Sequence, residues 1–221
     1  MTSDETRLKQ LPPFQVVPKG KELLTAKPVP ATCVIAIATS AGGLKALSQI
    51  LWLLPGDIAA AILIVQHLSP DHASHLAGLL NRQGRLHAVE ARGGEILYES
   101  QVYTAPPNYH LIVEPSRSLA LTSTDKVKFA RPAGDVLFES VAAVYGKDAI
   151  GIVLTGGDGD GSAGISAIKA AGGRTIAQDA ASSVQPSMPV MAVRTGDVEY
   201  VLPIGDIADC LIRMIAPPRA D

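Results

Sequence analysis

The stretch that decides the fold is CVIAIATSAGG, residues 33–43. Its first six residues are apolar, which predicts a strand buried on both faces. Two glycines follow Ser40-Ala41 and permit a tight turn, and residues 44–51 (LKALSQIL) then show the spacing of an amphipathic helix. A buried strand that leads directly into an amphipathic helix is the repeating unit of a parallel sheet covered by helices.

Two further apolar runs have the same character and also end in polar residues. Residues 60–65 (AAILIV) end at Gln66 and His67, and residues 149–154 (AIGIVL) end at the loop 155–161 (TGGDGDG). The carboxyl ends of parallel strands share one edge of a sheet, where ligands bind. A serine, a histidine and an aspartate are therefore predicted to converge there, which favours the chemistry of a nucleophile, its base and the group that orients the base.

The rest of the chain continues this alternation of strands and helices. The predicted fold class is α/β, with a doubly wound, mainly parallel sheet and helices on both faces. Short alternating pieces separated by glycine and proline interrupt the pattern and predict an inserted antiparallel hairpin. Those pieces are 102–105, 110–113 and 119–122; the remaining predicted helices are 72–80, 134–142, 162–171 and 207–215, and the remaining strands 174–177 and 200–203.

The chain divides into two predicted parts. Residues 1–31 carry five prolines and show no sustained period, which predicts an extended tail. Residues 32–221 form the single predicted domain. Hydrophobic residues make up 47% and charged residues 18% of the chain, a composition that supplies a core and argues against disorder.

Charge and hydropathy exclude several functional classes. A net charge of −2 gives no general electrostatic basis for binding nucleic acid. The polar start is not a signal peptide and no apolar stretch reaches the length of a membrane span, so we expect a cytoplasmic protein without membrane insertion. Cys33 and Cys210 make no disulfide framework and fit small buried residues in a reducing compartment.

Ser40 is the candidate nucleophile. The string Ala38-Thr39-Ser40-Ala41-Gly42 is close to the G-x-S-x-G nucleophile elbow, with Ala38 in place of the first glycine. Amides at the start of the following helix are placed to stabilise an oxyanion. Two alternatives stay open: an ordinary helix N-cap serine, and a dinucleotide site, although G-x-G-x-x-G is absent here.

His67 is the candidate base, because an imidazole is matched to accepting a hydroxyl proton near neutral pH. A satisfied structural histidine is an equally good interpretation of the position. His72 and His75 follow on one helical face, but no cysteine or carboxylate set at ligand spacing accompanies them. A zinc site is therefore not predicted, and the expected site contains no metal.

The loop 155–161 offers two carboxylates, Asp158 and Asp160. They match the first two ligands of a calcium loop, but Ala163 stands where that loop needs glycine and Lys169 where it needs glutamate. One carboxylate can instead cap the following helix, while the other accepts a hydrogen bond from the imidazole. The spacing alone leaves open which carboxylate does which.

Six segments together carry a resemblance to a known family. From Cys33 onward the chain resembles the catalytic domain of the chemotaxis protein-glutamate methylesterases, the CheB family. The segments, in order, are Ser40–Gly43, Val65–His67, Tyr103–His110, Asp135–Phe138, Thr155-Gly156 with Asp160-Gly161, and Met188-Pro189. Carried over by position, the resemblance implies a triad of Ser40, His67 and Asp160.

The chain departs from the family pattern at three positions of the site. Ala41 replaces the threonine that usually follows the nucleophile, Gly157 replaces a methionine, and Asp158 stands where the family usually has glycine. The changes at Ala41 and Gly157 are expected to widen the site or alter its polarity. Residues 1–31 are too few to form the receiver domain that precedes the esterase domain in two-domain members.

The chemistry and the resemblance together imply hydrolysis of glutamyl γ-methyl esters, with deamidation of glutamine as a further activity. Ser40 attacks the ester, His67 accepts its proton, and Asp160 holds the imidazole tautomer. No cofactor is needed. The amides expected to hold the oxyanion are those of Ala41, Gly42, Thr155, Gly156 and Gly157.

The resemblance also implies partners. The substrate would be the cytoplasmic helical bundle of a methyl-accepting chemoreceptor, and a separate response regulator would be a second partner. Two alternative functions stay open. One is a non-catalytic signalling or interaction module with the same fold, and the other is a serine esterase with a different substrate.

Overall fold

Strand β1 (Val34–Thr39) lies at the centre of a seven-stranded sheet. The computed structural model describes residues 28–67 and 74–215. The other strands of this sheet are β2 (Ala61–Gln66), β3 (His87–Glu90), β4 (Gln101–Thr104), β7 (Ala149–Val153), β8 (Arg174–Gln178) and β9 (Tyr200–Leu202), and a separate pair consists of β5 (His110–Val113) and β6 (Leu119–Thr122). The helices are α1 (Gly43–Leu53), α2 (Leu76–Gln83), α3 (Gly134–Tyr145), α4 (Ser162–Ala170), α5 (Ser187–Arg194) and α6 (Ile204–Ile215).

The sheet is wound in two directions from its centre. The strand order is β3-β4-β2-β1-β7-β8-β9, and each neighbouring pair is parallel. Val34 lies opposite Ala61 on one side and Ala149 on the other. The crevice between the carboxyl ends of β1 and β7 is therefore the topological switch point, where open α/β sheets bind ligands. The predicted doubly wound fold is confirmed.

Alternate residues of β1 feed two separate hydrophobic cores. Ile35 and Ile37 pack into the core on the side of α1, α2 and α6. Ala36 and Ala38 pack into the opposite core, which contains side chains of α3, α4 and α5. All six residues of β1 are buried, as expected for a strand covered by helices on both faces.

The predicted antiparallel hairpin is present but smaller than expected. Strands β5 and β6 pair in antiparallel register, with Leu111 opposite Leu121, and lie outside the main sheet. The prediction for residues 102–105 is wrong. These residues form most of β4, which runs parallel to both β2 and β3. A short alternating strand has the same sequence pattern in either orientation, so the flanking glycines and prolines misled the assignment.

One helix escaped sequence analysis. Helix α5 has only eight residues and carries Pro189 at its third position, and we did not predict a helix there. Proline is tolerated in the first turn because the amide it lacks would have no intrahelical partner. The helix predicted at 72–80 is described from Leu76 and runs to Gln83, so the start of that prediction lies outside the described residues.

The predicted tail is described only from Pro28, and residues 1–27 lie outside the described range. At its end, Pro30 forms an isolated bridge with Tyr98, and the Ala31 amide donates to Leu97 O at 2.9 Å. Among the helices of residues 28–67 and 74–215, none is long and apolar enough to cross a membrane.

Candidate active site

Ser40 lies directly after β1, at the switch point of the sheet. Its backbone amide donates to Thr155 O at 2.9 Å, which joins the end of β1 to the loop after β7. The N-cap of α1 is Gly42 rather than Ser40, and no side chain caps this helix. The N-cap interpretation of Ser40 is therefore wrong. Gly42 has φ +83°, a backbone conformation that is strained for residues other than glycine. This conformation turns the chain sharply into α1.

His67 follows β2 and its ring lies between two carboxylates. Its backbone amide donates to Thr39 O at 3.0 Å. The ring nitrogen Nε2 is 2.7 Å from Asp160 Oδ2, and Nδ1 is 3.1 Å from Asp158 Oδ2. The structure therefore brings His67 and Asp160 together as predicted, and it adds Asp158 on the second nitrogen.

Asp160 is held at the N-terminus of α3. Its side chain is fully buried, and it accepts hydrogen bonds from the amides of Gly134 at 2.5 Å and Asp135 at 3.0 Å. Burial alone would raise the pKa of Asp160, but hydrogen bonds from His67 and these amides outweigh it and hold the pKa below its ordinary value. Asp160 is therefore a fixed negative charge beside the imidazole.

Asp158 is the more open of the two carboxylates, with 37% of its side chain exposed. Its Oδ1 accepts the Asp160 amide at 3.0 Å, within their own loop. Burial acts to raise the pKa of Asp158, but the hydrogen bonds from the His67 ring and the Asp160 amide, together with the charges of His67 and Lys128, outweigh it and lower the pKa. The predicted cap on α4 is wrong for both carboxylates, because Gly161 is the N-cap of that helix and no side chain caps it.

Two carboxylates on one ring decide the charge of His67. Burial lowers the pKa of His67, but the hydrogen bonds and charges of Asp158 and Asp160 outweigh it and raise the pKa to about 9. At neutral pH the ring is then an imidazolium that donates both of its N–H groups. A purely structural histidine in apolar surroundings would have the opposite shift.

Ser40, His67 and Asp158 line one cavity of about 270 Å³. The opposite wall comes from the segment between β6 and α3. That wall consists of Lys126, Lys128, Phe129, Ala130, Arg131 and Pro132. Within the residues the structure describes, no hydrogen bond joins the Ser40 hydroxyl to His67, whose two ring nitrogens both face carboxylates.

Two of the amides predicted to hold the oxyanion, those of Thr155 and Gly156, already donate hydrogen bonds within the protein. The Thr155 amide donates to Gln178 Oε1 at 2.9 Å, and the Gly156 amide donates to Gln185 O at 2.8 Å. Partners are not found in the described parts of the chain for the remaining three amides of the predicted set. Those three are the amides of Ala41, Gly42 and Gly157.

Gly156 has a packing role in the same loop. A Cβ placed on it would lie 3.0 Å from the Ser40 Cβ and would overlap the Met188 side chain. Only glycine therefore lets the loop after β7 approach this closely to Ser40 and α5.

Gln66 is a site residue that sequence analysis did not single out. Its Nε2 donates to Ser40 O at 2.8 Å and to His67 O at 3.1 Å, so one side chain ties the backbones of the nucleophile and base candidates together. Its Oε1 is buried without a hydrogen-bond partner. A polar residue at the end of a buried strand, directly before the histidine, was the available signal.

A groove of about 1120 Å³ opens beside Ser40 between α1 and α2. Its floor and walls are mostly apolar, and Trp52 is 54% exposed there. Lys45, Arg82 and His75 add polar groups to its lining. The groove gives Ser40 access to a ligand much larger than the cavity over His67 would hold.

The described residues contain no group of three or more histidine, cysteine or acidic side chains placed to hold a metal ion. His72 lies outside them, and His75 is the N-cap residue of α2.

Comparisons with known proteins find relatives of this chain. A family model described as CheB methylesterase matches residues 35–211. The chain is 39% identical over 181 residues to a protein-glutamate methylesterase/protein-glutamine glutaminase of Symbiobacterium thermophilum, covering 82% of this chain and 50% of that protein. It is 37% identical over 180 residues to a Leptospira interrogans protein named "Putative protein-glutamate methylesterase/protein-glutamine glutaminase", covering 81% of this chain and 93% of that protein.

The fold also matches a solved structure. The crystal structure of the Thermotoga maritima CheB methylesterase catalytic domain superposes with a TM-score of 0.80 at 33% sequence identity, covering 83% of this chain and 98% of that one. The chain thus spans half the length of the Symbiobacterium relative and nearly all of a CheB catalytic domain.

Proposed function

The chain belongs to the CheB methylesterase family, and from that premise we propose that it hydrolyses glutamyl γ-methyl esters on the cytoplasmic helical bundle of a methyl-accepting chemoreceptor. The single observation that carries the proposal is the hydrogen bond between His67 and Asp160, 2.7 Å long, at the edge of the sheet where Ser40 follows β1. A buried carboxylate that orients an imidazole beside a serine is the arrangement used for acyl transfer.

The assigned roles follow from the ring nitrogens. With Nε2–H donated to Asp160, a neutral His67 has its lone pair on Nδ1, the nitrogen that must face the serine. Ser40 Oγ attacks the ester carbonyl, and its proton passes to Nδ1. The tetrahedral intermediate collapses to an acyl-serine, and methanol leaves with that proton. Water, activated by the same nitrogen, then releases glutamate and restores Ser40.

The oxyanion is assigned to the amides of Ala41, Gly42 and Gly157. Ala41 and Gly42 follow Ser40 in the chain, and Gly157 belongs to the loop after β7 whose Thr155 carbonyl accepts the Ser40 amide. The donors of these three amides are not used elsewhere in the described chain. A glutamine side chain offers the same carbonyl with ammonia as leaving group, so deamidation at the same site is part of the proposal. No step requires a metal or a cofactor.

The groove beside Ser40 supports a bulky substrate. An α-helix with side chains is about 10–12 Å across, and a groove of about 1120 Å³ between α1 and α2 accepts part of one helix rather than only a small ester. Lys45 and Arg82 provide positive charge for acidic residues on that helix. The predicted contact with a separate response regulator has no counterpart among these features and stays a prediction.

The test is methanol release from a methylated receptor fragment. We expect release by the wild-type chain, labelling of Ser40 by a serine-directed sulfonyl fluoride, and loss of both in Ser40→Ala. Removal of a triad nucleophile leaves only about 10³–10⁴-fold acceleration over water. The matched control is Ser116→Ala, an exposed serine on the β5–β6 turn. Release by Ser40→Ala at a substantial fraction of the wild-type rate would refute the proposal.

A further inference from the structure

The feature that the mechanism leaves unexplained is the second carboxylate on His67. Nδ1, the nitrogen that must accept the Ser40 proton, lies 3.1 Å from Asp158 Oδ2. An imidazole nitrogen that donates to a carboxylate carries a proton and has no lone pair to offer. In this arrangement Asp158 therefore takes the place on the ring that a serine hydroxyl requires.

Other charged side chains lie around the ring and its cavity. Lys128 Nζ pairs with Asp135 at 2.8 Å and donates to Gly159 O at 2.6 Å, so its positive charge lies beside the loop that carries Asp158. The described charged groups that face His67 or share its cavity are Asp158, Asp160, Lys126, Lys128 and Arg131. The ring itself is only 13% exposed, so water screens these interactions weakly.

We propose that Asp158 is a positioning residue that holds His67 as an imidazolium turned away from Ser40, and thereby restrains the esterase at neutral pH. The inference rests on the proposed function above, since it concerns the base of that reaction. Loss of the Nδ1 proton removes the charge-assisted hydrogen bond to Asp158, and the freed nitrogen then accepts the Ser40 hydroxyl. The esterase is accordingly released as the pH rises.

The direction of the effect follows from the charges. Each carboxylate stabilises the imidazolium, and the pair raises the pKa of His67 to about 9 despite its burial. Removing the Asp158 charge leaves one carboxylate and the unchanged burial, so the pKa of His67 falls towards its ordinary value of 6.5. A larger share of the enzyme then has a neutral base at pH 7.

The experiment compares pH profiles of methanol release for the wild-type chain and for Asp158→Asn. The amide keeps an oxygen that accepts the Asp160 amide, so the loop retains that bond while the charge is lost. We expect kcat/KM at pH 7 to rise roughly tenfold in the variant, because one pKa unit changes the protonation ratio tenfold. The two profiles should converge near pH 10, where His67 is neutral in both.

The matched control is Asp125→Asn, which removes the charge of an exposed aspartate on the same segment as Lys126 without touching His67. Its profile should follow the wild type. Coincident profiles for wild type and Asp158→Asn would overturn the inference, and so would a uniform loss of activity at every pH in Asp158→Asn, which is what a merely structural role predicts.

A second measurement does not depend on activity. Titration of the His67 ring by nuclear magnetic resonance in the intact protein, assigned with His67→Gln, should show a lower midpoint in Asp158→Asn than in the wild type. An unchanged midpoint would refute the role of Asp158 even if Ser40→Ala confirms the esterase. If Ser40→Ala instead retains methanol release, the proposed function fails while this titration still decides what Asp158 does to His67.

Discussion

The two sides of His67 are built in opposite ways. On one side Asp160 is fully buried and is held by two amides at the start of α3, an element that packs into the core. On the other side Asp158 is 37% exposed, and its only other hydrogen bond in the described chain is to the amide of Asp160, two residues away. One carboxylate is part of the fold, and the other belongs to a loop.

The difference separates a permanent function from a conditional one. A carboxylate with two amide donors cannot leave the ring without stranding buried donors, which costs about 1–3 kcal/mol for each group left unsatisfied. A carboxylate at a solvent-exposed rim can exchange the ring for water without leaving a buried donor unsatisfied. Orientation of His67 therefore rests on Asp160, and restraint of His67 rests on Asp158.

The largest effect is expected from Asp160→Asn. We expect kcat to fall by roughly four orders of magnitude, because an amide favours the wrong imidazole tautomer and cannot offset the imidazolium charge. Methanol release measured beside Asp158→Asn checks it, since the two variants are predicted to change activity in opposite directions. Similar losses in both variants would show that the two carboxylates share one role.

Stability should differ between the same two variants. We expect Asp160→Asn to lower the free energy of unfolding by about 2–3 kcal/mol at pH 6, because two amides and an imidazolium lose a buried anion. Asp158→Asn should cost about 1.4 kcal/mol, the equivalent of the one-unit fall in the pKa of His67 expected for this variant. Its cost is smaller than that of Asp160→Asn because the Asn oxygen still accepts the Asp160 amide, so no buried amide loses its acceptor. Denaturant unfolding measures both, and equal losses would contradict the assignment of Asp160 to the fold.

The pH dependence of wild-type stability follows from the same shifts. The pKa of His67 is raised from 6.5 to about 9. Its contribution to the free energy of unfolding is therefore complete below pH 6.5 and is lost as the pH rises through 9. The pKa of Asp160 is lowered from 3.8, so its contribution is present above 3.8 and is lost as the pH falls through the lowered value. Unfolding of His67→Gln at several pH values should lack the alkaline loss.

The strands that carry the site could be predicted from the sequence because their apolar runs are a strong signal. The apolar runs that became β1, β2 and β7 are continuous, and a shared carboxyl edge brings Ser40, His67 and Asp160 together whatever the details of the loops. The same reasoning placed residues 102–105 in the wrong sheet, because four alternating residues do not reveal which neighbour they pair with.

The second nitrogen of His67 could not be predicted in the same way. Which carboxylate a ring nitrogen meets depends on the conformation of a glycine-rich loop and on a contact between residues 91 positions apart in sequence. The calcium-loop and helix-cap interpretations of Asp158 both rest on local spacing. Local spacing cannot show that Asp158 meets His67, which follows β2. The departure from the family glycine at Asp158 was the one available signal.

A smaller effect is expected at Gln66, whose side chain ties the backbones of Ser40 and His67 together. In Gln66→Ala, kcat should fall roughly tenfold with little change in KM, because misplacement of reacting groups acts on the chemical step. The control is Gln101→Ala, whose amide also donates to a backbone carbonyl, that of His87 at 2.6 Å, but at the amino end of β4. An unchanged kcat in Gln66→Ala would show that the strands alone position the pair.

The smallest effect is expected from the tail, and it tests whether Asp158 is the restraint on His67. Residues 1–27 contain three prolines, and their acidic residues are Asp4, Glu5 and Glu22. A chain that begins at Pro28 keeps the contacts of Pro30 and Ala31 with the 97–98 segment. Its kcat/KM at pH 7 should differ from that of the full chain by less than about threefold, well under 1 kcal/mol of barrier.

A tenfold rise, equal to that expected for Asp158→Asn, would instead place the restraint in the tail. If truncation and Asp158→Asn together gave no more than either alone, the two would act on the same state of His67, and the loop carboxylate would be restraining the ring only while the tail is present.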